Sequence, residues 1–293
     1  MQKEMLSINH TAADFPAFRD RLRKQLASFP WWLAALAAIV AATYWLISTR
    51  ESYNDAFIFI KAGLSVTITT TLISFGISIV IGLVTSLGRI SNNVILRNLA
   101  TLYVELIRGI PMIVLIFFIA LVGVPAVLNL VKDFGQWIVS LGWTNFGNSL
   151  VALKNDAIPM NSRAIVALAV TYGAFSAEIF RAGIQSIGKG QMEAARSQGM
   201  SYSQAMRHVI LPQAIRNVLP ALGNDFVSML KDTSLVSVLA VRDITQIARL
   251  YAGRSFHYQE AYINLAILYL SMTVVLSFAV KFLEKRFHKD ERN

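Results

Sequence analysis

The sequence predicts an all-α membrane protein, a multi-pass bundle of about six transmembrane helices interrupted by one polar helix-turn-helix element. Three observations carry that prediction. Only 15% of the residues are charged against 55% hydrophobic, and several apolar runs are long enough to cross a bilayer. The formal charge of +10 is spread over the ends of those runs. That is how a membrane protein marks one side, whereas a nucleic-acid binder gathers its charge on one face. Between two of the runs, residues 188–212 carry polar side chains at helical spacing. The chain has no cysteine, which excludes disulfides, thiol catalysis and cysteine-ligated metals and leaves the redox compartment open.

Residues 1–30 are polar, with Lys3, Arg19, Arg21, Arg23 and Lys24. The run 31–47 comes too late and is too long for a cleaved signal peptide, so it reads as an uncleaved span with paired tryptophans at the interface. Residues 50–55 read as a short link. The second span, 62–87, contains Gly76 and Gly82, small enough to let helices approach closely. The serines and threonines between Ser65 and Ser74 can bond back to their own helix carbonyls. A third region is apolar over 99–107, broken at Arg108-Gly109-Ile110-Pro111, and apolar again over 112–131. One kinked span or an interfacial helix followed by a span would both fit; the first half alone is too short to cross. Residues 132–162, with Trp137, Trp143 and Pro159, read as a long polar-aromatic loop. The fourth span is 164–187. A fifth region, 218–241, is interrupted by charge; a polar link, 242–260, and a clean final span, 261–282, follow.

Six spans place both termini on one side, and charge says which. Sixteen Lys and Arg fall in the two termini, 88–98 and 188–216, whereas the opposite segments hold Arg50, Lys132, Lys154, Arg242, Arg249 and Arg254. The positive-inside rule assigns both termini and the 188–212 element to the cytoplasm.

Within that element, Gly199 suits a left-handed helix end, and Ser201 with Gln204 forms a capping box for a second helix, which Pro212 is expected to stop. A structured polar hairpin between spans suggests docking of a soluble partner. Beside it, residues 183–190 come within one position of a phosphate-binding loop, but Gly190 stands where a hydroxyl is needed and no strand precedes. The plainer reading, a flexible helix end with a basic anchor, is preferred. The chain is therefore not expected to hydrolyse nucleotide alone.

Glu178 and Arg181, like Glu105 and Arg108, stand one helical turn apart, so each pair can neutralise itself. Charges inside a bilayer usually face the protein interior or a cavity. For Glu105, Arg108, Gly109 and Pro111 the structural reading, an anchored and kinked helix, is adopted. For Glu178 and Arg181 a structural pair and a lining of a translocation path both stand. Asn224-Asp225 and Lys231-Asp232-Thr233-Ser234 break the fifth region and are assigned to the path or its gate, although the second could simply end a helix at the surface. The four histidines, His10, His208, His257 and His288, fall outside the spans; HExxH and GxSxG motifs are missing, which argues against an enzyme.

At this point four segments resemble a known family. Glu193-Ala194-Ala195, Gly199 and Val209-Ile210-Leu211-Pro212 resemble the EAA signature of bacterial ABC-importer permeases, with Val209 where Ile is commoner. Tyr103–Pro111, Ala177–Ile187 and Lys231–Leu235 resemble segments of the polar-amino-acid permeases, in the correct order. The likeness covers about residues 60–285. It implies a transmembrane domain over 59–285 with a coupling hairpin at 188–212 and an outer loop at 132–162. Around it would lie a cytoplasmic segment 1–30, an extra span and link 31–58, and a cytoplasmic tail 286–293. It further implies a bacterial inner-membrane permease without catalytic residues, bound metal or cofactor. A pair of ABC ATPase subunits would use ATP and magnesium, a second permease subunit would complete the path, and a periplasmic or lipid-anchored solute-binding protein would deliver an amino acid. The resemblance assigns ATPase coupling to Glu193, Ala194, Ala195, Arg196, Gly199, Leu211 and Pro212, with the two alanines as a small face entering a partner groove and Glu193 and Arg196 at its rim. Candidate path residues are Glu178, Arg181, Asp225, Lys231, Asp232, Thr233 and Ser234. A stand-alone secondary transporter or a membrane scaffold is the alternative; the first should show inverted repeats, and none is evident.

Overall fold

The computed structural model describes residues 31–289, and no strand occurs among them. The chain forms two units, residues 1–50 and 51–293. The first contains α1 (Trp31–Thr49), apolar and long enough to span a bilayer, with Trp31, Trp32 and Trp45 exposed. The expected N-terminal segment 1–30 lies outside the described residues, as does the tail beyond 289.

In the second unit, α2 (Glu51–Ile60) and a 3₁₀ turn (Lys61–Gly63) lead into α3 (Leu64–Ile90). Then come α4 (Val94–Gly109), α5 (Met112–Phe118), a π turn (Ile119–Gly123), α6 (Val124–Ser140) and α7 (Thr144–Val151). After α8 (Met160–Ser186), the short helices α9 (Lys189–Ser197) and α10 (Tyr202–Ala205) are followed by a second π turn (Met206–Ile210). That turn passes directly into α11 (Leu211–Asp232), a 3₁₀ run (Thr233–Leu239), α12 (Ile244–Ser255) and α13 (Tyr258–Lys289). Five stretches of the described residues are long and apolar enough to cross a membrane: Trp31–Thr49, Glu51–Ile90, Met112–Ser140, Met160–Ser186 and Tyr258–Arg286. The expected fifth region is not among them, because Asn224, Asp225, Lys231 and Asp232 dilute its apolar character and a 3₁₀ run replaces the α-helix from Thr233.

The core is the seam between α3 and α8. The buried residues of α3 are Thr67, Thr70, Thr71, Ser74, Ser78, Gly82 and Ser86, a stripe of small side chains at intervals of one to four residues. A Cβ on Gly82 would lie 2.6 Å from the Ser176 Cβ, so the two backbones meet as closely as side chains permit. Gly76 has open space around it and plays no such part. Thr69 and Thr71 donate to Ser65 O at 2.7 Å and Thr67 O at 2.8 Å, the expected back-bonding. Thr70 and Ser74 instead reach across to Asn161 Oδ1 at 3.0 Å and Ile165 O at 3.3 Å, so hydroxyls also tie the helices together. Apolar layers close both ends of the seam, with Ile116, Ala120, Leu168 and Val236 at one and Ile184, Met206, Ile210 and Ala214 at the other.

Several sequence expectations need correction. Residues 132–162 are largely helical: α6 runs on to Ser140 and α7 fills 144–151, because Gly142, at φ +93°, turns the chain tightly enough to fold one helix on the other. The links 50–55 and 242–260 are also helical, and Asp243 caps α12 by accepting from Gln246 N at 2.9 Å. Pro212 does not stop a helix. The π turn Met206–Ile210 lies just before it, and the chain runs helically through Pro212 from Tyr202 to Asp232. Asn224 and Asp225 lie within unbroken α11; the change of geometry comes only at Thr233. In the third region a real break separates α4 from α5 at Ile110 and Pro111, which both a kinked span and an interfacial helix followed by a span allow.

Candidate functional site

The polar hairpin between α8 and α11 is built by its own local chemistry. Met200 N donates to Ala195 O at 3.3 Å and Gly199 N to Arg196 O at 3.0 Å, the paired bonds of a Schellman end, with Gly199 left-handed at φ +86°. Ser201 Oγ then accepts from Gln204 N at 3.3 Å, while Gln204 Oε1 accepts from Ser201 N at 2.8 Å. The capping box expected at this position is complete.

One face of this hairpin is internal. Ala195, Ala205, Met206 and Ile210 are buried, and Met192, Val209 and Leu211 pack around the Ile184 layer, with Leu87 and Ile90 from the end of α3. Glu193, Ala194, Arg196, Gly199 and Pro212 are exposed. The two alanines therefore differ. Ala195 is turned into the chain's own core, and only Ala194 remains on the free surface beside the charged pair.

Directly inside the hairpin lies a charge cluster. Glu178, on the last third of α8, accepts from Arg181 one turn on and from Arg89 at the end of α3; Arg108 of α4 stands 3.9 Å away. Arg89 also faces Glu105 at 3.9 Å. The expected pair Glu105–Arg108 is not formed within α4. Each member faces another helix, because Glu178 attracts all three guanidiniums. Arg89 is the most enclosed member, its side chain only 11% exposed, although by sequence it is only one of the orienting charges. A single carboxylate of α8, ten residues before the hairpin, thus joins α3, α4 and α8. Removing it would leave Arg89 with only the more distant Glu105 and Arg181 with only Gln185, a costly outcome for partly buried charge.

Further from the hairpin, Tyr172 of α8 donates to Asp232 Oδ2 at 2.6 Å, across to the end of α11. Asp225, two turns earlier on α11, has a buried Oδ2 without a hydrogen-bond partner. Thr233 Oγ1 is spent on Leu230 O at 2.6 Å, Ser234 is half-buried, and Lys231 is exposed. Of the predicted path residues, Asp225 and Asp232 therefore offer acidic oxygens inside the protein, whereas Glu178 and Arg181 belong to the charge cluster. Residues 183–190 form the last turn of α8, a two-residue link and the start of α9. A Cβ on Gly183 would come 2.1 Å from Val218 Cγ1, so that glycine serves helix packing.

Arg163 went unnoticed in the sequence. It is 6% exposed in the first turn of α8, at the end far from the hairpin, donating to Ile158 O at 3.0 Å, Ala120 O at 3.3 Å and Asn155 Oδ1 at 2.8 Å. It pins the connection before α8 to the π turn after α5. The signal was a lone basic residue at the head of an apolar run.

Comparisons with known proteins bear on this arrangement. The family described as "Binding-protein-dependent transport system inner membrane component" matches residues 78–289. The probable glutamine ABC transporter permease protein GlnM of Bacillus subtilis strain 168 is 39% identical over 80% of this chain and 96% of its own length. The arginine transport system permease protein ArgU of Corynebacterium glutamicum is 34% identical over 88% of this chain and 80% of its own. Among solved structures, a crystal structure of an amino acid ABC transporter with histidines is 35% identical, with a TM-score of 0.62, over 80% of this chain and 95% of that one. The MetNI methionine ABC transporter, 19% identical with a TM-score of 0.55 over 82% of this chain and 99% of its own, shares the fold.

Proposed function

The chain belongs to the binding-protein-dependent transport inner-membrane family, as a permease subunit of the amino-acid ABC importer kind, and we propose that it carries a polar amino acid by coupling to a separate ATPase. The observation that carries this reading is the hairpin: a doubly capped helical turn whose inner face is packed into the core and whose outer face presents Glu193, Ala194 and Arg196. A rigid base with a small, charged, exposed tip suits transmission of force from a partner. In this reading a pair of ATPase subunits binds ATP and magnesium and meets the hairpin from the cytoplasm. A second permease subunit completes the path, and a solute-binding protein delivers substrate from the far side.

Charge asymmetry supports the orientation. Lys61 and Arg163 also belong to the side opposite the hairpin and raise its count to eight against sixteen, which leaves the sign unchanged. Asp225 and the Tyr172–Asp232 pair are the acidic lining candidates, suited to an ammonium group. The charge cluster centred on Glu178 ties the end of α3 and the last turns of α4 to α8, and in this reading passes hairpin motion to them. The Tyr103, Ala177 and Lys231 segments resemble those of polar-amino-acid permeases, and several relatives are named for glutamine, arginine or cystine transport.

Glu193→Lys tests the coupling role. In reconstituted vesicles with the ATPase subunits and binding protein, the variant is expected to insert normally but lose substrate-stimulated ATP hydrolysis and uptake. Normal ATP-dependent uptake would remove Glu193 from the docking surface.

A further inference from the structure

The α6–α7 hairpin is packed inside out. Where its helices face each other, glycine meets backbone: a Cβ on Gly135 would lie 2.9 Å from Gly147 O, and one on Gly147 would lie 2.7 Å from Gly135 O. Its large side chains point away. Leu130, Phe134, Trp137, Leu141, Trp143 and Phe146 are 52–71% exposed, and the Phe134 and Trp137 rings stack at 5.6 Å. Outside itself the hairpin touches chiefly the π turn that precedes it. A soluble helical hairpin does the reverse, closing on its bulky residues and showing polar ones to water. So large an aromatic face does not stay in water on a stable protein.

Its height in the bilayer follows from Arg163. That residue opens α8 and holds the carbonyl of Ala120. At 27 residues α8 is about 40 Å long, already more than the roughly 30 Å of hydrocarbon. Ala120 thus lies at the far end of the bundle from the polar hairpin, and α6 and α7 begin where the hydrocarbon gives out. The exposed face continues the apolar surface of the preceding turns, Phe118, Leu121 and Val122. Its only charges, Lys132 and Asp133, cancel, so nothing on it steers a charged protein. Tryptophan beside phenylalanine and leucine, near-neutral and at the edge of the hydrocarbon, matches the headgroup–acyl boundary.

We propose that the α6–α7 hairpin is an interfacial anchor, lying in the headgroup–acyl boundary of the leaflet opposite the coupling hairpin with its aromatic face in lipid. It fixes the level of the bundle's far end, to which Arg163 ties the start of α8. The occupant of the apolar face is lipid and not a protein.

The test is a depth measurement on the full chain in vesicles, independent of transport. The chain has five tryptophans, so replacing Trp31, Trp32 and Trp45 by Phe leaves Trp137 and Trp143 as the only tryptophan emitters under excitation selective for indole. Lipids brominated near the headgroup end of their chains should remove most of that emission, those brominated near the chain terminus much less, and aqueous iodide little. Strong iodide quenching without bromolipid quenching would overturn the proposal, as would protection gained only when a solute-binding protein is added. Should the triple variant fold poorly, the absence of native cysteine allows a single spin label through W143C in the otherwise natural chain. Greater collision with oxygen than with a water-soluble nickel complex is expected there, and the reverse order contradicts the anchor.

Discussion

Two spans of this protein, α8 and α13, satisfy the same sequence criteria and occupy opposite environments. The apolar stretch of α8 is 67% buried within the protein and that of α13 only 17%. Small side chains at the seam make part of the difference, with Leu168, Tyr172, Phe180 and Ile184 of α8 buried beside them. Ala164, Ala167, Gly173, Ala174, Ser176, Ala177 and Gly183 line the buried side of α8, whereas α13 shows Val275, Phe278 and Phe282 to its surroundings at 60–69% exposure. In a bilayer, lipid tails welcome bulky apolar groups as well as a protein core does, so burial goes to residues that let backbones approach. The more apolar helix is thus the peripheral one, and the helix that carries small and charged residues is the centre.

The largest expected effect comes from the charge on α8. Glu178→Gln leaves Arg89, Arg108 and Arg181 without their shared carboxylate, and a loss of about 2–3 kcal/mol is expected, read as a lower unfolding temperature in detergent. Unchanged stability would mean that the cluster does not bind α3, α4 and α8 together. Next comes the seam. Gly82→Val puts branched bulk where a bare Cβ already lies 2.6 Å from Ser176, at a cost of about 1–3 kcal/mol. Wild-type folded yield and unfolding temperature would refute the close approach. The smallest effect belongs to α13: Val275→Ala, at a 69% exposed position, is expected to change stability by less than about 0.5 kcal/mol. A loss comparable to that of Gly82→Val would erase the contrast between the two helices.

Much of this contrast was readable in the residues. Apolar runs located α1, α3 and α8 to within a few positions, and Gly199 with Ser201 and Gln204 specified the hairpin's turn because helix caps are set by local bonding alone. Tertiary contacts were the limit. The spacing of Glu105 and Arg108 predicts a pair along one helix, yet Glu178 and Arg89, distant in sequence, draw them apart. Pro212 reads as a stop because the sequence does not show the π turn through which the helix continues past it. The helices α6 and α7 were hidden by the polar residues of 132–162, since the close contact of Gly135 with Gly147 depends on how the chain folds back. Arg163 was silent because its partners are backbone carbonyls, which carry no sequence signature.

The coupling account rests on which alanine of the hairpin is free. Ala194 is exposed and Ala195 is 5% exposed, and the chain has no other thiol to confuse a label. The direct measurement is maleimide labelling of Ala194→Cys in membrane vesicles, with and without an added ABC ATPase subunit. Rapid labelling of the permease alone, lost on adding the ATPase, with Ala195→Cys slow throughout, is the predicted result. Labelling of Ala194→Cys at an unchanged rate in the presence of saturating ATPase would contradict the claim that this hairpin is where the partner docks.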